Sequence, residues 1–107
     1  MNIKEVENAI LQGKWFMSQH ARIKAGKRQI GDADVIMAIL NGEIIEDYGD
    51  DPRGCSCLVL GYTGENRPIH IVCSLIDEEY LIIITVYEPQ LPIWKNERTR
   101  KEGNNND

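Results

Sequence analysis

The first third of the chain spaces its apolar residues as amphipathic helices do. Ile3, Val6 and Ile10 recur at i, i+3 and i+7 with charged residues between them, and Gly13 follows as a stop signal. These residues predict a first helix. Ser18 is a favoured N-cap residue, and we predict a second helix directly after it.

A third helix is predicted over the apolar run Val35–Leu40, although six apolar residues would also suit a buried strand. The flanking residues favour the helix. Asp32 and Asp34 place carboxylates where the positive end of a helix dipole would lie, and Asn41-Gly42 is typical of a helix C-terminus. Between the first two helices, Trp15–Met17 forms either an apolar connector or a short strand.

From residue 43 onward the chain becomes rich in β-branched and aromatic residues, interrupted by turn-like segments. Connections this short favour antiparallel pairing, because a parallel return needs a crossover of about a dozen residues. We therefore predict an α+β fold with N-terminal helices on one face of a four-stranded antiparallel meander. Trp94 is expected to pin the C-terminal segment back. The predicted strands are Glu43–Tyr48, Cys55–Tyr62, Pro68–Leu75 and Tyr80–Tyr87, in one domain (1–102) with a flexible tail (103–107).

Composition and length place the chain among globular proteins of one domain. It has 107 residues, of which 42% are hydrophobic and 27% are charged. Its longest apolar run, six residues, is far below the roughly 20 that a bilayer requires, so we expect no membrane association and a cytoplasmic location. Three cysteines without a C-x-x-C pair argue against a disulfide framework or a structural zinc site. The cysteines, Cys55, Cys57 and Cys73, are therefore interpreted as small core residues, or one of them as a reactive thiol.

The net charge of −5 is unevenly distributed along the sequence. Residues 1–31 contain six basic and two acidic residues, whereas residues 32–92 contain two basic and twelve acidic ones. Because charges are screened over about 8 Å at physiological salt, a ligand senses chiefly the charges near it. A compact cationic patch could therefore bind a phosphate or two, but this protein is not expected to coat a long duplex.

One candidate site lies on the predicted second helix. His20, Lys24, Lys27 and Arg28 fall within a stripe of roughly 100° on an ideal helix. An imidazole can exchange a proton near neutral pH, while cations stabilise charge on phosphoryl oxygens. The stripe suits phosphodiester chemistry, and the alternative is a solvated basic face with a partly buried histidine.

A second candidate lies in the sheet. Strand alternation puts His70 on the face opposite Ile69 and Ile71, and puts Thr85 and Tyr87 together on one face of the last strand. If these faces coincide, His70, Thr85 and Tyr87 line one groove that could orient a phosphate or a ribose hydroxyl. A buried histidine satisfied by hydrogen bonds is the structural alternative.

Neither a metal nor an organic cofactor is expected. A catalytic metal site needs about three converging ligands, and the two histidines stand 50 residues apart without an H-E-x-x-H motif. The phosphate-binding, dinucleotide-binding and serine-hydrolase motifs G-x-x-x-x-G-K-[ST], G-x-G-x-x-G and G-x-S-x-G do not occur.

Several segments occur in a fixed order along the chain: Ser18-Gln19-His20-Ala21, Arg28-Gln29-Ile30, Asn41-Gly42-Glu43-Ile44-Ile45-Glu46-Asp47-Tyr48, Arg67-Pro68-Ile69-His70-Ile71-Val72 and Ile84-Thr85-Val86-Tyr87-Glu88-Pro89. Together, from about Trp15 to Arg100, the chain resembles the bacterial domain-of-unknown-function family 4258. This family is similar to the ribonuclease toxins of the barnase, colicin-nuclease and RelE-like group, so the resemblance implies helices packed on a four-stranded sheet and an antitoxin partner.

The resemblance also implies which residues would form the site. Members commonly have arginine where this chain has Lys24, which keeps the charge but loses the bidentate fork. The recurrent polar positions fall on His20, Lys24, Arg28, Arg67, His70, Thr85 and Tyr87.

The leading hypothesis is a metal-independent endoribonuclease of toxin type that acts on RNA. His20 or His70 would take the 2′-hydroxyl proton, Lys24 and Arg28 would stabilise the phosphorane, and Arg67, Thr85 and Tyr87 would bind substrate. A non-catalytic binding or regulatory module on the same fold is the alternative. A third hypothesis is a subunit that docks a partner through a sheet edge or its C-terminal segment. The RNA target and oligomeric state are not predicted.

Overall fold

Residues 1–51, 54–77 and 79–101 are described by a computed structural model of the chain. The predicted tail, residues 103–107, lies outside them. Within the described residues the elements, in chain order, are α1 (Ile3–Leu11), β1 (Trp15–Met17), α2 (Gln19–Lys27), α3 (Asp32–Leu40), β2 (Glu43–Asp51), β3 (Gly54–Tyr62), β4 (Pro68–Ile76) and β5 (Tyr80–Tyr87). The strands form one mixed sheet in the order β1-β5-β4-β3-β2.

The α+β class is confirmed, but the prediction of a four-stranded antiparallel sheet was wrong in detail. The segment Trp15–Met17 is a fifth strand, and it pairs in parallel with β5, with Phe16 opposite Ile82. Two helices and three other strands separate β1 from β5 along the chain. A run of three residues is too short to show the alternation of apolar and polar residues that marks a strand. Its pairing with β5, far along the chain, also leaves no pattern in the nearby sequence.

The predicted helix starts are confirmed by their caps. The Ser18 hydroxyl accepts a hydrogen bond from the Ala21 amide at 3.0 Å, as an N-cap residue does. At the start of α3, the Asp34 carboxylate accepts from the Gly31 amide at 2.9 Å. These side chains satisfy amides that would otherwise lack partners in the first turn.

The second strand extends beyond its predicted end. We expected Gly49 to open a turn, but it lies inside β2 with a left-handed φ of 71°. Its amide donates to the Asp47 carboxylate at 2.8 Å, and the pairing with β3 shifts register between these two residues. A glycine in this conformation forms a bulge instead of ending the strand. Residues 52 and 53 of the predicted turn lie outside the described residues.

The two faces of the sheet are covered by different parts of the chain. On the helix face, Ile69, Ile71 and Val86 pack in one core with the helices. On the opposite face, His70 is buried beneath residues 88–101, which we name the C-terminal strap. Trp94 of the strap is 2% exposed, as expected of a residue that pins this segment to the sheet.

The packing of α3 on β3 leaves no room for a side chain at Gly61. A Cβ atom placed there would lie 1.9 Å from the Ala38 carbonyl oxygen. We therefore expect Gly61→Ala to lower the free energy of unfolding in urea by at least about 3 kcal/mol. The matched control is Gly26→Ala on α2, where no atom lies within 4 Å. That variant should gain about 0.5–1 kcal/mol, and equal stability of both variants would contradict the close approach.

Candidate functional site

A cleft of about 550 Å³ opens where β5 ends, between the C-terminus of α2 and the strap. Three elements bring its arginines together: Arg28 is the C-cap of α2, Arg67 directly precedes β4, and Arg100 lies near the end of the strap. We name it the arginine cleft. It is lined by Arg28, Arg67, Tyr87, Glu88, Gln90, Leu91, Pro92, Ile93, Trp94 and Arg100.

Two of these arginines are fixed by backbone carbonyl groups. Arg28 Nη1 donates to the Val86 carbonyl at 2.6 Å. Arg67 donates to the carbonyls of Gln29 at 3.2 Å and Arg28 at 2.7 Å, while its Nε donates to Glu88 at 3.1 Å. Arg67 thereby holds the end of α2 against the start of the strap. Each guanidinium has five N–H groups, so Arg28 and Arg67 both keep N–H donors that these contacts do not use.

The third arginine fixes the strap to the edge of the sheet. Arg100 Nε and Nη2 donate to the Glu46 carboxylate at 2.7 and 2.8 Å, in a bidentate pair that lowers the pKa of Glu46. Its guanidinium also lies 4.6 Å from the ring of Trp94. Arg98 donates to Glu43 at 2.5 Å on the same strand. Both strap arginines therefore pair with carboxylates of β2.

His70 lies beneath the cleft with both ring nitrogens in hydrogen bonds. Its Nε2 is 2.7 Å from the carbonyl oxygen of Glu97, and its Nδ1 is 3.2 Å from the Tyr87 hydroxyl. A carbonyl only accepts, so Nε2 carries the proton and Nδ1 accepts from Tyr87. The Trp94 ring packs edge-on against the imidazole at 4.4 Å between centroids.

Burial sets the protonation of this pair. His70 is 0% exposed, and its desolvation lowers the pKa of the imidazole. Desolvation likewise raises the pKa of the Tyr87 hydroxyl. At neutral pH a neutral imidazole therefore orients a protonated phenol, and neither ring nitrogen of His70 is free to bind substrate.

The structure brings together some of the sequence-predicted residues. Arg28, Arg67 and Tyr87 line the cleft, and His70 contacts it through Tyr87. Thr85 is half-buried on β5, opposite Val72, and does not line the cleft.

The remaining predicted residues stand apart from it. His20 is exposed and Lys24 half-exposed on α2, and neither lines the cleft. Helix α2 packs on the helix face through Ala21 and Ala25, whereas His70 points to the strap face. The structure thus does not assemble His20 and His70 into an acid–base pair, and their catalytic roles stay a prediction.

Sequence reasoning missed the contribution of the strap. Glu88, Trp94 and Arg100 complete the cleft, but no motif or periodicity marks them as site residues. The one available signal was Trp94, a large aromatic residue that follows the last strand. Arg100 reaches the site because an isolated antiparallel bridge pairs it with Trp94, which no local pattern encodes.

Two other features of the described residues bear on function. Within residues 1–51, 54–77 and 79–101, no group of three or more histidine, cysteine, aspartate or glutamate side chains is placed to hold a metal ion. In the same part of the chain, every helix is too short or too polar to span a bilayer.

The fold and the cleft define a small α+β domain with a cationic surface site. The chain belongs to the family described as Domain of unknown function (DUF4258), which it matches over residues 17–88. This confirms the family resemblance and includes Arg28, Arg67 and Tyr87, whereas most of the strap lies beyond the matched residues. The chain matches no curated protein and no solved structure at a significant level.

The burial of His70 predicts a dependence of stability on pH. In the unfolded chain a histidine binds a proton with a pKa of about 6.5, but the folded protein keeps His70 neutral to lower pH. The unfolded state then binds more protons, so the free energy of unfolding should fall as the pH drops through 6.5. Urea unfolding at a series of pH values measures this slope.

The matched variants separate the two histidines. His70→Gln should remove the contribution of His70 to the slope, whatever its effect on absolute stability. His20→Gln, at an exposed position of α2, should retain that contribution. A slope that is unchanged in His70→Gln would contradict the assignment.

Proposed function

We propose that the chain is a metal-independent endoribonuclease of the toxin type, with the arginine cleft as its RNA-binding site. The observation that supports this most directly is the convergence of three guanidinium groups on one cleft. Arg28, Arg67 and Arg100 come from three separate elements and meet beside a phenol and a carboxylate. Such an arrangement is suited to a phosphodiester, because guanidinium groups pair with phosphate oxygens in a bidentate manner.

The local charge of the cleft favours RNA although the whole chain carries −5. Three arginines line the cleft. Arg67 pairs with Glu88 and Arg100 pairs with Glu46, so among the described residues Arg28 is the lining arginine without a carboxylate partner. Screening limits the influence of the acidic residues elsewhere, so a bound phosphate responds mainly to this cationic lining. The size of the cleft, about 550 Å³, suits one or two nucleotides of a single strand.

The strap side of the cleft supplies an apolar surface for a base. Leu91 is 65% exposed and Ile93 is 58% exposed, and both line the cleft. A nucleotide has the same two-sided character, with a charged phosphate and a flat, weakly polar base. Single-stranded RNA presents both parts, whereas a duplex hides its bases in the stack.

The side chains at the cleft suggest which groups move protons. Glu88 is the lining carboxylate and would take the proton of the ribose 2′-hydroxyl. As the new bond from O2′ to phosphorus forms, the bond to O5′ breaks, and a water molecule in the open cleft would protonate that leaving oxygen, because the Tyr87 hydroxyl donates its hydrogen to His70 Nδ1. Arg28 and Arg67 would stabilise the charge on the phosphorane. His70 acts here as a positioning residue, because it touches Tyr87 and not the substrate.

An antitoxin is the protein partner that this proposal implies. It would silence the enzyme most simply by covering the arginine cleft. An acidic segment suits that role, since its carboxylates would replace phosphates at Arg28 and Arg67.

The proposal predicts RNA cleavage that depends on Arg28 in the presence of EDTA. Arg28→Gln should lower the cleavage rate about a hundredfold. It should also flatten the salt dependence of RNA affinity by roughly the 0.7 logarithmic units per decade that one phosphate contributes in a single strand. Gel analysis of a labelled single-stranded RNA and a binding titration at several salt concentrations measure these quantities. The products should end in 2′,3′-cyclic phosphates.

Arg22→Gln is the matched control, because Arg22 lies on the same helix, pairs with Asp32 and does not line the cleft. It should cleave and bind as the unaltered protein does. Glu88→Gln should bind RNA without cleaving it. Cleavage that needs added metal, or that is equal in the Arg22 and Arg28 variants, would contradict the proposal.

A second candidate function is RNA binding without cleavage. It is favoured by His70, whose two nitrogens are both occupied, so that the cleft lacks a free imidazole. The two candidates differ in cells as well as in solution. A nuclease toxin arrests growth when expressed alone and Glu88→Gln relieves the arrest, whereas a binding module gives the same growth with either sequence.

A further inference from the structure

Three sulfur atoms meet on the helix face of the sheet, away from the arginine cleft. Cys57 and Cys73 are direct cross-strand partners on β3 and β4, both 0% exposed, with their Sγ atoms 3.9 Å apart. The Met1 Sδ atom lies 3.5 Å from Cys57 Sγ, and its side chain is 1% exposed. We name these three side chains the sulfur cluster.

Cys57 lies at the centre of the cluster, because it contacts both of the other sulfur atoms. The Cys57 thiol donates a hydrogen bond to the Met1 sulfur at 3.5 Å, and it shares a second hydrogen bond with the Cys73 thiol, in which either group can be the donor. The pairing of the Met1 ammonium group with Asp47 at 3.4 Å holds Met1 beside the two cysteines.

We propose that the sulfur cluster binds one Cu(I) ion. Soft thiolate and thioether ligands select Cu(I) over harder cations. Three sulfurs around one ion at metal–sulfur distances of ~2.3 Å lie ~4.0 Å from one another. Two edges of such a triangle, the distances from Cys57 Sγ to Cys73 Sγ and to Met1 Sδ, are 3.9 and 3.5 Å, within about half an ångström of that value. Zinc is less suited, because its structural sites take four ligands.

The binding of Cu(I) requires neither an oxidant nor a reductant. Cu(I) displaces the protons of the Cys57 and Cys73 thiols, which leave to solvent, and the copper keeps its oxidation state. Two thiolates and one Cu(I) leave a single negative charge. Cys55 carries a further sulfur on the same face of β3, two residues away, and is partly exposed.

An anaerobic titration against a chromophoric Cu(I) chelator tests the site. The unaltered chain should take one Cu(I), with a first shell of sulfur in X-ray absorption spectra. Cys57→Ala and Cys73→Ala should each weaken binding at least about a hundredfold. Cys55→Ser is the matched control and should bind within about twofold of the unaltered chain.

Met1→Leu isolates the thioether, because leucine keeps the volume and the apolar packing of methionine. Both this variant and the unaltered sequence can be released from an N-terminal fusion by a protease that leaves no extra residue. Met1→Leu should bind Cu(I) about tenfold more weakly and keep its folded circular dichroism spectrum.

Four results would overturn the proposal: no stoichiometric Cu(I) binding, unchanged binding in Cys57→Ala, a first shell of nitrogen or oxygen, or Zn²⁺ binding of equal strength. If a cysteine variant fails to fold, Met1→Leu and the spectrum of the unaltered chain still decide. RNA plays no part in these measurements, so their outcome is separate from that of the proposed nuclease activity.

Discussion

The hydrogen bond from His70 to the Glu97 carbonyl fixes the C-terminal strap against the sheet, and the cleft exists because the strap lies there. A buried imidazole without partners would cost about 1–3 kcal/mol, so the strap and the histidine depend on one another. Trp94 covers the ring and excludes water from it. Histidines often transfer protons in enzymes, but His70 holds one wall of the cleft in place and binds the hydroxyl group of Tyr87.

The arginines of the cleft support the fold and the site at the same time. Arg28 and Arg67 bind backbone carbonyls, and Arg100 pairs with Glu46 and lies over Trp94. Their guanidinium groups are thereby held in position before any ligand arrives. Preorganised charges of this kind stabilise a bound anion more effectively than mobile lysines, which lose side-chain entropy on binding. If RNA binds as proposed, these arginines need little rearrangement to contact a phosphate.

Local patterns predicted the parts of the molecule that local interactions decide. Ser18 capped its helix as expected, and strand alternation correctly placed His70 and Ile71 on opposite faces. The pairing of β1 with β5 and the return of Arg100 to Trp94 join residues that no periodicity connects. For the site, the sequence identified its cationic residues from α2 and the start of β4, but not the wall formed by the strap.

The cleft is built from two separate stretches of chain. Arg28, Arg67 and Tyr87 lie within the residues that match the family, whereas the wall from Gln90 to Trp94 lies beyond them. The wall packs on the five-stranded sheet and contributes none of its strands. Substitutions in the wall would therefore alter the apolar side of the cleft and leave Arg28 and Arg67 in place.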